Sequence, residues 1–224
     1  MGFQIAIDGP AGAGKSTVAK AISKELGYIY IDTGAMYRAF GLYLLNNNID
    51  VNNEVEISKV IDKVNISIEF VNGEQRIYLN DVDVSDKIRT PEVGDAASSC
   101  SVHNCVRKKL VAMQQELASK SSVVMDGRDI GSVVLPNANL KIYLTASVLV
   151  RAKRRLEDYK QKGINKDLDE LVKEIEERDY RDTHRDNSPL IKVSDAILID
   201  SSDMTVDEVI DKIIYYADGG TNNK

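Results

Sequence analysis

An α/β fold is what this 224-residue sequence predicts: a parallel sheet flanked by helices, with a small antiparallel insertion and a helical lid. Three observations carry the expectation. Short apolar runs alternate with stretches of helical periodicity, as repeated strand–helix units require. The segment at about 64–100 switches to strict apolar–polar alternation around a hairpin signal, which is foreign to a parallel core. From Ser147 to about Arg185 the pattern is helical but heavily charged, and suits a mobile flap better than a core helix.

The elements follow in order. Phe3-Gln4-Ile5-Ala6-Ile7-Asp8 reads as a buried strand, and residues 16–26 carry Val18, Ile22 and Leu26 at helical spacing among good helix formers. Tyr28-Ile29-Tyr30-Ile31-Asp32 is a second strand ending at Thr33-Gly34, followed by a helix through Met36, Tyr37, Phe40 and Leu44. After the break at Asn46-Asn47-Asn48, Asn52 or Asn53 caps a helix carrying Val55, Val60 and Val64. Residues 66–71 and 76–79 flank Asn72-Gly73 as a hairpin, with Val82-Asp83-Val84 as a third short strand. A long helix over about 103–120 returns to the core. Residues 122–126 and 140–144 are apolar runs of parallel-strand type, 196–200 gives the fifth core strand, 205–216 a closing helix, and 219–224 a disordered tail. The division expected is a core of 1–63, 101–146 and 191–224, an insertion at 64–100 and a lid at 147–190.

Composition narrows the function. A net charge of −6 and a pI near 5.1 argue against general nucleic-acid binding, while 43% hydrophobic residues supply a sizeable core. Cys100 and Cys105 have neither redox nor zinc spacing, and only two histidines, His103 and His184, accompany them. No apolar stretch approaches membrane-spanning length, and the N-terminus begins a strand rather than a signal peptide. The expectation is a cytoplasmic monomer that acts on small molecules, with no nucleic-acid or membrane partner.

The run Gly9-Pro10-Ala11-Gly12-Ala13-Gly14-Lys15-Ser16 fits the spacing Gly, four residues, Gly-Lys-Ser/Thr, between a strand and a helix. Glycines let backbone N–H groups curl inward around phosphate, and the helix beginning near Lys15 adds its positive end. Lys15 supplies a mobile charge for the β- and γ-phosphates, and the Ser16 hydroxyl is placed to ligate Mg²⁺. A glycine-rich turn with a chance lysine is the competing reading; the flanking strand and helix disfavour it.

Asp126 ends an apolar strand, where such proteins carry an acid that supports Mg²⁺, although a strand-end cap has the same look. Asp126-Gly127-Arg128-Asp129 places two acids and an arginine at the carboxyl edge of the sheet, where ligands bind in open parallel sheets. Arginines are the second theme. Arg38 lies on the helix just past the second strand, Arg107 starts the helix after the insertion, and Arg128 follows the third core strand; Arg178, Asp182 and Arg185 recur at i, i+4 and i+7, which puts them on one helical face. Arg151, Arg154 and Arg155 crowd the start of the charged segment. Any one of these suits a solvated surface, and together they favour a phosphate clamp. Leu168, Leu171, Val172 and Ile175 form an apolar stripe on the same helix as Arg178.

With these residues in view, the chain resembles the bacterial cytidylate (CMP) kinases within the P-loop nucleoside-monophosphate kinases, over nearly its whole length. The carriers are residues 7–17, Asp32-Thr33-Gly34-Ala35-Met36-Tyr37-Arg38, Ile88-Arg89-Thr90-Pro91-Glu92-Val93, Asp126-Gly127-Arg128-Asp129-Ile130-Gly131 and Glu177-Arg178-Asp179-Tyr180-Arg181-Asp182. The resemblance implies a five-stranded parallel sheet with a nucleoside-monophosphate insertion and a lid. It implies ATP on Gly9, Pro10, Ala11, Gly12, Ala13, Gly14, Lys15, Ser16 and Thr17. Mg²⁺ would sit on Ser16, with Asp126 and Asp32 supporting it from behind water. Arg38, Arg128 and Arg185 would hold the CMP phosphate, Ser98, Arg107 and Asp129 would read cytosine, and Arg178 and Asp182 would contact the sugar. Thr33 keeps a hydroxyl where many relatives have serine. Arginines among Arg151, Arg154 and Arg155 would reach ATP from the lid.

The reaction implied is MgATP + (d)CMP → ADP + (d)CDP, with Lys15, Arg128 and Arg185 balancing charge on the transferring group. The acceptor phosphate is already an anion near neutral pH, so alignment and charge stabilisation suffice. A UMP/CMP or other small-substrate kinase is the nearest rival. A GTPase-type switch is disfavoured: Asn165-Lys166-Asp167-Leu168-Asp169 misses the guanine-reading pattern by one residue, and no Asp-x-x-Gly occurs.

Overall fold

A computed structural model describes residues 2–71, 74–161 and 163–220. In chain order it runs β1 (Gln4–Asp8), α1 (Lys15–Leu26), β2 (Ile29–Asp32), α2 (Thr33–Asn46), α3 (Glu54–Val60), β3 (Ile66–Val71), β4 (Glu74–Leu79), β5 (Val82–Asp83), α4 (Pro91–Cys100), α5 (Asn104–Ser119), β6 (Val123–Gly127), β7 (Leu140–Thr145), α6 (Val148–Gln161), α7 (Leu168–His184), β8 (Ile197–Asp200) and α8 (Val206–Ala217). Asn72-Gly73 and the last four residues of the expected tail lie outside the described residues. The chain forms two compact units, one of residues 1–30 and 121–224, the other of 31–120, dividing within β2.

The sheet of five parallel strands runs in the order β2-β6-β1-β7-β8, and the first unit holds all of it but the last two residues of β2. Its central strands are almost continuously buried, which is why they read as unbroken apolar runs. β1 pairs with β6 on one side, Asp8 opposite Gly127, and with β7 on the other, Asp8 opposite Tyr143. The chain leaves β1 through α1 toward β2, beyond β6, so the carboxyl end of β1 is a point where the strand order reverses and a crevice opens. Ile5, Ile7, Val18, Ile22, Val124, Ile142, Leu144 and Ile213 form the core between sheet and helices. A capping box at Thr205 and Glu208 starts α8. The charged segment is two helices, α6 and α7, with a small core of their own around Ala152, Tyr159, Leu171 and Ile175. The predicted stripe on α7 is what buries.

The second unit packs the antiparallel sheet β3-β4-β5 with four helices. The residues at 64–100 share one core with α2, α3 and α5, because Phe40, Leu44, Ile57 and Leu110 supply the apolar partners of Ile66, Ile77 and Leu79. Two readings need correction. α3 ends at Val60 and buries Ile57, whereas Val55 is exposed and Val64 lies beyond a short 3₁₀ turn. Residues 91–100, read within the antiparallel segment, are α4, capped by the Thr90 side chain with Pro91 in the first turn. Gly41 lets α2 and α4 approach closely: a Cβ there would stand 2.9 Å from the Ala97 nitrogen.

Candidate active site

In the first unit, the loop between β1 and α1 is shaped by its glycines. Gly9 has φ 150° and its Cβ position is filled by the Leu144 carbonyl of β7, so no side chain fits. Gly14, at φ 89°, is the N-cap of α1 and brings no capping side chain, unlike the caps of α2, α3, α4, α7 and α8. The first-turn amides of α1 thus point into the loop, the arrangement that suits phosphate oxygens.

Lys15 is buried, with Nζ donating to the Pro10 carbonyl at 2.7 Å. Burial, then Arg128, lowers its pKa to about 7, against the pull of Asp126 and Asp182. Ser16 Oγ donates to Asp126 Oδ2 at 2.8 Å, and the Tyr30 hydroxyl donates to Asp126 Oδ1 at 2.9 Å. Asp126 is therefore a built acid and not only a strand-end cap. A hydroxyl and a carboxylate, both hard oxygen donors, fit Mg²⁺ held largely by phosphate and water. Among the described residues no group of three or more metal-ligating side chains forms a cage.

A cavity of about 500 Å³ opens over this loop, lined by residues 11–18 together with Arg154, Arg155, Arg178 and the segment Met204-Thr205-Val206. Arg154 is anchored to the Ser201 carbonyl at 2.8 Å, and Arg155 to the Tyr159 hydroxyl at 2.9 Å. Arg151 lies beneath. Its guanidinium binds both oxygens of Asp179, at 3.0 and 2.6 Å, and donates to the Ala11 and Ala146 carbonyls. Of the three crowded arginines, two face the cavity and Arg151 braces the loop.

The turn after β6 carries the second cluster of this unit. Arg128 Nε donates to Asp182 Oδ2 at 2.7 Å, and Arg185 stands 3.5 Å from Asp129 Oδ1. Burial pushes the Asp182 carboxyl up, but Arg128, Arg178 and Arg185 outweigh it and hold it below the usual carboxylate range. The expected common helical face is corrected in one respect. α7 ends at His184, and Arg185 is extended (φ −67°, ψ 141°), its Nε bound to the Ser188 carbonyl. It reaches Asp129 from the loop, not from the helix.

The second unit collects the remaining predicted residues. Asp32 caps α2 through Ala35 N and pairs with Arg38 at 2.8 Å. The Arg38 Nε is buried with no hydrogen-bond partner among the described residues. Thr33 is buried in the first turn of α2, and Ser98 is half-buried in the last turn of α4. Arg107, on α5, is buried with its guanidinium 5.9 Å from the centre of the Tyr37 ring and Nη1 near the Ser101 carbonyl. The sequence reading missed Asp8, Tyr30 and the Arg151–Asp179 pair. Only the apolar-strand ending in an acid could have pointed to Asp8.

Sheet order, glycine loop and the lysine–serine start of α1 define a P-loop kinase core. The cytidylate kinase family model matches residues 5–219, so the chain belongs to the cytidylate kinase family. It is similar to cytidylate kinases of Lactobacillus gasseri (53% identity, covering 94% of this chain and 92% of that protein) and Caldicellulosiruptor bescii (51%, 95% and 94%). That of Bacillus cereus is 47% identical, covering 97% and 96%. Among solved structures, an uncharacterized protein from Eubacterium ventriosum superposes with a TM-score of 0.52 at 18% identity over 97% of this chain and 99% of that one, a likeness of fold alone. The chain is a nucleoside-monophosphate kinase. Among the described residues no helix is long and apolar enough to cross a membrane.

Proposed function

We propose that the protein transfers the γ-phosphoryl group of MgATP to CMP or dCMP, giving ADP and (d)CDP. The observation that carries this reading is that the Lys15 loop and the Arg128 turn leave the carboxyl ends of adjacent parallel strands, β1 and β6, at one edge of the sheet. A donor phosphate on the first and an acceptor phosphate on the second would be held for in-line transfer.

In this reading residues 9–17 hold the ATP phosphates, with Arg154 and Arg155 over the cavity. Mg²⁺, when bound, neutralises charge on the β- and γ-oxygens; Ser16 would hold it, with Asp126 orienting the Ser16 hydroxyl. Arg128, Arg185 and Arg38 hold the acceptor phosphate, and Arg178 and Asp182 its sugar. Thr33 would bind CMP through its hydroxyl, and Ser98, Arg107 and Asp129 would read the base: a carboxylate accepts from the cytosine N4 amino group and a guanidinium donates to N3 and O2. Uracil reverses part of that pattern and leaves charged groups mispaired. The segment 64–100 serves the acceptor and 147–190 acts as a lid that excludes water. A cytoplasmic monomer fits this chemistry.

The test is ADP formation from MgATP with CMP, dCMP, UMP, AMP and GMP offered separately. Turnover confined to CMP and dCMP is expected. Turnover spread over UMP or AMP would remove the base assignments of Asp129 and Arg107, and no acceptor-dependent turnover would remove the reaction.

A further inference from the structure

Asp8, the last residue of β1, is 6% exposed, yet its carboxylate makes no hydrogen bond to the phosphate loop that follows it. It accepts instead from two consecutive amides 122 and 123 residues away: Ile130 N to Oδ1 and Gly131 N to Oδ2, each at 2.7 Å. These amides open a single turn of π-helix, Ile130–Val134, and are the donors such a turn cannot satisfy from within. The two residues immediately before the turn are Arg128 and Asp129. Gly131 gives the carboxylate its room, since a Cβ there would stand 3.3 Å from Asp8 Oδ2 and 3.2 Å from the Lys141 side chain.

We propose that Asp8 is a positioning residue of the phosphoryl-transfer site, its carboxylate fixing the turn that aims Arg128 and Asp129 at the acceptor nucleotide. This rests on the acceptor reading given above. Charge-assisted hydrogen bonds from backbone N–H to carboxylate are about twice as strong as neutral ones, and two on one acid fix both its rotamer and the turn. Burial pushes the Asp8 carboxyl up to about 6, with the Gly131 and Ile130 amides and Lys15 pulling the other way and Asp129 adding to the rise. Tyr143 faces it from β7, while Lys141 of that strand is engaged by Asp195. An acid kept buried against that desolvation serves the two amides it holds. β1 thereby controls both halves of the reaction: its backbone leads into the donor loop, and its last side chain sets the acceptor turn.

The experiment is steady-state kinetics of Asp8→Asn, which puts an amide donor against one of two N–H donors in nearly the same volume. The KM for CMP is expected to rise at least tenfold and kcat to fall, with the dissociation constant of ADP within twofold of wild type. A KM for CMP within twofold of wild type overturns the proposal. So does a parallel weakening of ADP and CMP, which marks a general loss of structure. If Asp8→Asn does not fold, Gly131→Ala displaces the carboxylate while leaving every polar group in place, and the same split of CMP from ADP is required. Wild-type enzyme that makes no ADP in response to CMP would instead remove the acceptor reading itself.

Discussion

Ser16 Oγ donates to Asp126 Oδ2 at 2.8 Å, so the first turn of α1 and the end of β6 meet through one hydroxyl proton. Tyr30 occupies the other carboxylate oxygen, and Asp126 is left with no freedom to turn away. Asp126→Asn keeps the shape but weakens the hold on the Ser16 hydroxyl. Loss of such a supporting partner costs about 10–100-fold in metal affinity or activity. The Mg²⁺ concentration for half-maximal turnover should rise by that order, and an unchanged Mg²⁺ titration would remove Asp126 from metal support.

Lys15 is a charge the fold holds at a cost. Its pKa falls to about 7 from 10.5, so between those values the folded state binds fewer protons than the unfolded one. Its contribution to stability therefore rises with pH across that window and is least favourable below pH 7. Lys15→Ala should lower turnover by about 10²–10³-fold while gaining stability, most at pH 6.5 and least at pH 9.5. Denaturant titrations at the two pH values check the slope, and near wild-type turnover would sink the proposed mechanism. Nucleotide binding at pH 8.5 should also take up a proton, read by calorimetry in buffers of different ionisation enthalpy, and the variant should not.

Arg107 is buried against Tyr37 with a long apolar stem, so Arg107→Met keeps much of its packing. A hydrogen bond to a charged group contributes about 1.5–3 kcal/mol, or about 10- to 100-fold. The ratio of kcat/KM for CMP over UMP should fall by that factor. Equal losses for both substrates would mean that Arg107 supports structure and does not read the base.

Arg151 and Arg155 separate bracing from chemistry. Removing one partner of a buried ion pair costs about 3–5 kcal/mol; Asp179 is 23% exposed, so Arg151→Ala should lie near the lower end. Arg155 donates to the Tyr159 hydroxyl and makes a long ion pair with half-exposed Glu174 at 3.9 Å, and Arg155→Ala should change stability by no more than about 1 kcal/mol. Its effect should fall on the KM for ATP. Equal unfolding free energies for the two variants would contradict the assignment.

The strands, the glycine loop, the start of α1 and Asp126 could all be read in the sequence, because each depends on neighbours within a few residues. α4 carried its local signals, Thr90 and Pro91, yet the hairpin pattern upstream masked them. Arg185 was placed on a helical face because periodicity does not say where a helix stops. Asp8 and Tyr30 owe their roles to partners about 100 residues away, brought close by the placement of β6 between β1 and β2. No local pattern encodes such pairings, and they make up most of what orders the site.

That placement also sets a timetable. β6 lies between β1 and β2, although about 90 residues separate it from β2 in the chain. The two strands that leave the ribosome first are not neighbours in the finished sheet, and must wait for a third. The residues made in the interval, 31–120, already share an apolar core among themselves and can begin to condense meanwhile. The nucleotide loop, emerging within the first sixteen residues, thus gains the acid that supports it only after more than half of the chain has been synthesised.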